Sequence, residues 1–305
     1  MLAHIAIALS MTLLAPAATA GTVPLPGVRV SYTEQTGDPV RLSAYGLGTK
    51  STYLRARTGA AFTRQPALAE AAVSPDGRTV AGVPGTYRAG FDALLLTDRA
   101  TGATRRVRTV AKPLTASYVS WTRDSKQVVL TVERKVAGRW QAAGFTVVDV
   151  AAGTARTVRL SGLDRGASFW WSPDGKLVAR HNGGLRTHRA TDGAVIGAHP
   201  SIGLPTGPED SYSPSGRRLA VWCPARFREG LCLADPATGR IARRVAVQPV
   251  ALFGWWDENH VIAVMTHRGD YRLAVLGLDG KVTRVLAPIP RRTWTASLWL
   301  GFTRA

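Results

Sequence analysis

Short apolar runs, each bounded by a polar turn, set the pattern of this chain. The clearest unit is Ser168-Phe169-Trp170-Trp171-Ser172-Pro173-Asp174-Gly175-Lys176-Leu177-Val178-Ala179. It reads as strand, four-residue turn, strand. The flanks are apolar and β-branched or aromatic, as buried strands require. In the turn, Pro presets φ near about −65°, Asp bonds back to its own backbone, and Gly takes positive φ. The unit recurs around Ser74-Pro75-Asp76-Gly77, Thr122-Arg123-Asp124-Ser125 and Ser213-Pro214-Ser215-Gly216, and more loosely around Trp256-Asp257-Glu258-Asn259.

A second unit alternates with the first: an apolar strand, a glycine turn, and a strand carrying Arg or Val. Its turns fall at Thr58-Gly59, Thr101-Gly102, Ala152-Gly153, Asp192-Gly193, Thr238-Gly239 and Asp279-Gly280. Glycine supplies the positive φ that a tight hairpin needs. Each repeat then holds four strands, A to D, with a period of roughly 40 to 50 residues, which predicts the blades of a β-propeller. Six C–D turns are present but only five A–B turns lie between the first and last of them. The missing strand A is predicted at the C-terminus, in Ser297–Arg304, where Phe302-Thr303-Arg304 matches Trp121-Thr122-Arg123. The expected fold is therefore all-β: a six-bladed propeller of four-stranded blades, closed by pairing the C-terminal strand with the N-terminal blade. Closure of this kind removes a free sheet edge.

The Trp/Tyr-Ser-Pro-Asp/Ser-Gly turns and the Asp-x-x-Thr-Gly hairpins resemble the TolB-like family of propeller repeats, itself distantly related to WD-type repeats. The resemblance spans essentially all of residues 28–305. It implies a fold and no particular activity.

Residues 1–20 are apolar and end in Ala18-Thr19-Ala20, a small-x-small site, which predicts a signal peptide cleaved after Ala20. The usual Lys or Arg near the start is replaced by His4, so an uncleaved membrane anchor is the alternative. Residues 21–39 form a lead-in in which Val28–Tyr32 alternates like an extra strand. Residues 40–305 form the propeller, with no second domain and no further membrane span. The chain has two cysteines, Cys223 and Cys232, bracketing the connection between strands B and C of one blade. An exported protein can oxidise such a pair, and the alternative is two buried thiols.

The chain carries 39 Lys+Arg against 20 Asp+Glu, a net charge of +19. This favours anionic partners and opposes self-association, so a monomer is expected. The expected partner is a protein or an anionic envelope polymer. Nucleic acid is disfavoured, because export removes the chain from it and the Arg residues are spread along the whole chain. The plain alternative is that the basic residues only coat the outer strands.

A propeller places its A–B and C–D turns on one face and its B–C and D–A connections on the other. The first set is short and repeated, hence structural. The second set varies, which is where binding sites usually lie. Candidates on that face are Arg134, Lys135 and Arg139 (beside Trp140), Arg165, Arg226, Phe227 and Arg228, Arg268, and Arg291, Arg292 and Trp294. Arg beside an aromatic suits anions, sugars or peptides. Trp121, Trp170, Trp171, Trp255, Trp256 and Trp299 are expected to pack between blades. No catalytic constellation, metal ligand set or cofactor motif is found. A Gly-x-Ser-x-Gly elbow is absent, and His181 and His188 make no ligand pattern. The reading is a non-catalytic binding or scaffold propeller. The alternative is a small-molecule-binding or metal-dependent hydrolase or lactonase-type propeller. Such a site would need acids converging on the channel, and only Glu70, Glu209 and Asp210 are expected near an inner strand.

Overall fold

A computed structural model describes residues 20–49, 51–206, 211–227 and 230–304. The expected signal peptide, Arg228, Glu209 and Asp210 lie outside the described residues, apart from Ala20. Six four-stranded antiparallel sheets form the ring. In order A to D, blade 2 is Leu68–Val73, Thr79–Pro84, Phe91–Asp98 and Thr104–Ala111. Blade 3 is Thr115–Trp121, Gln127–Val136, Arg139–Asp149 and Thr154–Arg159. Blade 4 is Phe169–Trp171, Leu177–His181, Gly184–His188 and Val195–His199. Blade 5 is Leu204–Pro205, Leu219–Trp222, Leu231–Ala234 and Ile241–Val245. Blade 6 is Ala251–Trp255, His260–His267, Asp270–Gly277 and Val282–Ile289. Blade 1 takes its strand A from the C-terminus, Leu298–Arg304, and its others from Val40–Leu47, Ser51–Arg55 and Phe62–Arg64.

The turns behave as their residues dictate. In blade 2, Ser74 Oγ donates to Asp76 Oδ1 (2.6 Å) and accepts the Thr79 amide (2.9 Å), while Asp76 Oδ1 accepts the Arg78 amide (3.0 Å). Ser172, Asp174 and Lys176 repeat this in blade 4. On the C–D side, Asp98 Oδ1 accepts the amides of Ala100 and Thr101 and the Thr101 hydroxyl. Those bonds hold its carboxyl below the usual aspartate range. Asp235 does the same with Thr238 and Ala237. These turns consume their polar groups internally, so they fix geometry and leave little for a ligand.

Tryptophans join blades as expected, except Trp299, whose Nε1 donates to the Gly48 carbonyl of its own blade (3.1 Å). Trp170, Trp171, Trp255 and Trp256 are buried, and Trp121 and Trp299 are partly so. Trp121 Nε1 donates to the Ala72 carbonyl of blade 2 (3.2 Å), and Trp255 Nε1 donates to Ser211 O (2.9 Å). Each such bond satisfies an indole N–H that burial would otherwise orphan.

The lead-in proves to be a hairpin, Ala20–Leu25 paired with Val30–Gln35. Val23, Leu25, Val30 and Tyr32 are buried in one cluster with blades 6 and 1. Two bidentate ion pairs hold it. Arg55 reaches both Glu34 oxygens (2.6 and 2.6 Å), and Arg284 reaches both Asp38 oxygens (2.6 and 3.0 Å). The hairpin thus grips blade 1 and blade 6, the two blades that the chain must join to close the ring.

Cys223 and Cys232 form a disulfide, with Cα atoms 4.9 Å apart. Closing so short a loop contributes about 2–3 kcal/mol, and it stiffens the B–C connection of blade 5.

Candidate functional site

The structure divides the expected binding residues into three groups, and in two of them the aromatic residue is packed against neighbours. Phe227 is partly buried against the core of blade 5, and Arg226 stacks over its ring (5.2 Å) while donating to Ser201 O (3.1 Å). Trp294 packs on Tyr271 and Phe253 with ring centres 5.7 and 6.5 Å away. Both aromatics are therefore packing residues. An apolar side chain beside Arg in a variable loop looks the same in sequence whether it points in or out.

Arg268, Arg291, Arg292 and Trp294 do come together, on blade 6. The D–A connection here is a short helix, Arg291–Thr295, where the sequence predicts a loop. The Arg291 amide donates to Asp270 Oδ1 (2.8 Å), tying the helix to the B–C turn that carries Arg268. A shallow groove of about 520 Å³ runs beside it, lined by Arg29, Arg268, Tyr271 and Ile289 among others. Arg165 is exposed, and its carbonyl accepts the Ala142 amide at the foot of the long blade 3 hairpin.

Arg134, Lys135, Arg139 and Trp140, expected in a loop, lie instead on that hairpin's paired strands. Ala137 (φ 47°) and Gly138 (φ 79°) form a two-residue turn of positive φ, and the ladder runs to it without a break from Glu133. Alanine at the first turn position carries no sequence signal for this. Blades 2 and 3 carry four of the exposed large apolar side chains, Val136 and Trp140 at the hairpin's tip and Phe91 and Tyr118 elsewhere on the two blades. Phe91 is 36 % exposed, Tyr118 44 %, Val136 38 % and Trp140 46 %. Arg108 stacks on Phe91 (5.1 Å) and Lys112 on Tyr87 (5.1 Å). Sequence reasoning missed Phe91, Arg108, Lys112 and Tyr118, because their exposure and stacking depend on strand pairing and a bulge that no local motif marks.

One buried and two partly buried acids hold this sector in place. Glu70 of blade 2 accepts the amides of Tyr118 (2.8 Å) and Val119 (2.6 Å). Those residues form the bulge in strand A of blade 3, where Tyr118 adopts φ 60° and is 44 % exposed. A non-glycine residue in that region is costly, and the Glu70 contacts offset the cost. Asp92 accepts the Thr115 hydroxyl and the Ala116 amide (both 2.9 Å), and Glu133 accepts from Ser117 Oγ (2.8 Å). Asp92 and Glu133 thus join Glu70 near an inner strand, which the sequence did not anticipate. Among the described residues no three His, Cys, Asp or Glu side chains converge.

Burial, the largest cause, raises the Glu70 carboxyl above the ordinary glutamate range against the pull of its two amides, with Glu133 adding a like charge. Removing the acceptor in Glu70→Ala leaves two amides unpaired and is expected to cost about 2–3 kcal/mol. Because the folded value lies above the unfolded one, protonation favours the fold. The gap in stability between wild type and Glu70→Ala should therefore widen as pH falls from neutrality, and level off below the unfolded value of about 4.3. Denaturant titrations at several pH values check this. A gap that narrows on acidification contradicts it.

No family model matches the chain, and no curated protein matches it. Solved structures do. TolB from Acinetobacter baumannii is 16 % identical with a TM-score of 0.50, over 83 % of this chain and 64 % of that one. The chain thus spans less than two thirds of TolB. Oligogalacturonate lyase from Vibrio parahaemolyticus is 12 % identical with a TM-score of 0.56, over 88 % of this chain and 84 % of that one. The β-propeller domain of the Trilobed protease from Pyrococcus furiosus is 11 % identical with a TM-score of 0.53, over 88 % and 85 %. The likeness is one of fold. The last of these has an open velcro topology, whereas here the C-terminal strand closes the ring.

Proposed function

We infer that the protein is an exported, monomeric, non-catalytic binding propeller that engages an anionic envelope component or protein through its B–C and D–A face. The observation that carries this is the sector on blades 2 and 3. There, exposed Val136 and Trp140 stand with Arg134, Lys135 and Arg139 on one hairpin, and on blade 2 Arg108 stacks on exposed Phe91. Isolated exposed hydrophobics are ordinary, but several gathered with cations mark an interaction surface. The apolar leader and the disulfide support export. The metal-dependent alternative gains no specific support, because both Glu70 oxygens are already used by backbone amides.

Binding of the purified chain to a cell-envelope fraction at physiological salt tests the reading. Charge reversal of Arg134, Lys135 and Arg139 should abolish retention, and reversal of Arg291 and Arg292 on blade 6 should leave most of it. Retention that vanishes equally in both variants, or that is absent from wild type, defeats the assignment.

A further inference from the structure

The blade 3 hairpin is longer than its counterparts. Its B and C strands run 10 and 11 residues, against 4 to 8 in the other blades. The additional pairs, Arg134↔Gln141, Lys135↔Trp140 and Val136↔Arg139, lie beyond the bulge at Val132/Glu133. At about 3.4 Å per residue they carry the tip roughly 10 Å further out. Residues 134 to 140 are all exposed. Opposed residues share a face, so one face of the tip carries Lys135 with Trp140 and the other carries Val136 with Arg139.

Resting on the binding reading above, we propose that this hairpin docks the propeller on an anionic lipid surface, with Trp140 and Val136 entering the headgroup boundary. Two features select a bilayer over a soluble acidic polymer. Val136 is aliphatic and sits at the very end, where stacking on sugar has no use for it. Cations flank the apolar pair on long stems, which lets them reach headgroup phosphates while their methylenes follow the apolar atoms inward. Phe91, exposed on the neighbouring blade 2, adds a further apolar side chain with Arg108 stacked on it. The net charge of +19 draws the whole ring toward an anionic surface.

The test is co-sedimentation of the full chain with phosphatidylglycerol/phosphatidylcholine vesicles and with phosphatidylcholine alone, at about 0.15 M salt. Wild type should bind the anionic vesicles only. Reversing Arg134, Lys135 and Arg139 should lower partitioning at least about a hundredfold, since each cation near the surface is worth roughly fivefold. Trp140→Ala should lower it about tenfold, Trp140→Phe should restore most of that, and melting temperatures should stay unchanged. Brominated lipid should quench wild-type fluorescence more than that of Trp140→Ala. Soluble polyphosphate forms a second arm. If wild type binds polyphosphate but not vesicles, the lipid proposal falls while the binding reading stands. If it binds neither, the lipid proposal falls and so does the anionic-partner form of the binding reading. If vesicles hold wild type and Trp140→Ala equally, the hairpin is not the docking element and the proposal is overturned.

Discussion

Deleting residues 298–305 should abolish cooperative folding. The removed strand is the inner strand of blade 1, paired at seven positions from Leu298↔Leu47 to Arg304↔Val40. It buries Leu298 and Leu300, and Phe302 meets Phe253 of blade 6 and Tyr32 of the N-terminal hairpin. Two buried leucines are worth about 1.5–3 kcal/mol each and each ladder bond about 1 kcal/mol. That total approaches the whole stability of an ordinary domain, about 5–15 kcal/mol. The geometry leaves no cheap substitute for this strand. A side chain at Gly46 would fall on the Ser51 carbonyl and the Trp299 indole, so the two strands fit at one spacing. Circular dichroism melts and limited proteolysis read the outcome. Adding the peptide Leu298–Arg304 in trans should recover part of the transition. A truncated chain that still melts sharply near the wild-type temperature would show that the ring does not depend on this closure.

Much of this architecture is legible before any coordinates, for a local reason. Ser-Pro-Asp-Gly and Asp-x-x-Thr-Gly are turns that satisfy themselves within five or six residues, so each blade announces its own hairpins. Closure could be read because the two turn types are unequal in number. What the sequence does not carry is whatever depends on neighbours in the ring. Phe227 and Trp294 appear available and are packed, while Phe91 and Tyr118 appear ordinary and are exposed. The bulge that holds Tyr118 at positive φ is bonded by Glu70, 48 residues away. The long hairpin depends on a turn whose first residue is alanine at positive φ, a position where sequence patterns call for glycine or asparagine. The features of the candidate surface thus sit where tertiary context overrides local preference.

The hairpin's two ion pairs extend the same point, since nothing in the sequence joins Asp38 to a partner 246 residues away. Asp38→Ala is expected to destabilise the protein by about 3–5 kcal/mol. Asp38 is 6 % exposed and Arg284 20 %, so the guanidinium would be left enclosed, with the Thr33 carbonyl (3.2 Å) and the Trp256 ring (5.6 Å) around it. The loss comes mainly from stranding that charge. Replacing both partners, in Asp38→Ala/Arg284→Met, should therefore cost less than Asp38→Ala alone, which a double-mutant cycle measures directly. Acidification should act on the companion pair in a defined direction. The Arg55 hydrogen bonds hold the Glu34 carboxyl below its ordinary range, chiefly by direct bonding and then by charge. Its contribution is present above the unfolded glutamate value and is lost as pH falls through the lower folded value. In Asp38→Ala, with one clasp already gone, acid should release the hairpin before the ring unfolds. Hydrogen exchange would then show the ladder from Ala20↔Gln35 to Leu25↔Val30 opening while blades 2 to 5 remain protected. Simultaneous loss of protection in the hairpin and all blades would instead make the clasp part of one cooperative unit, and the hairpin could not be described as a separable strap.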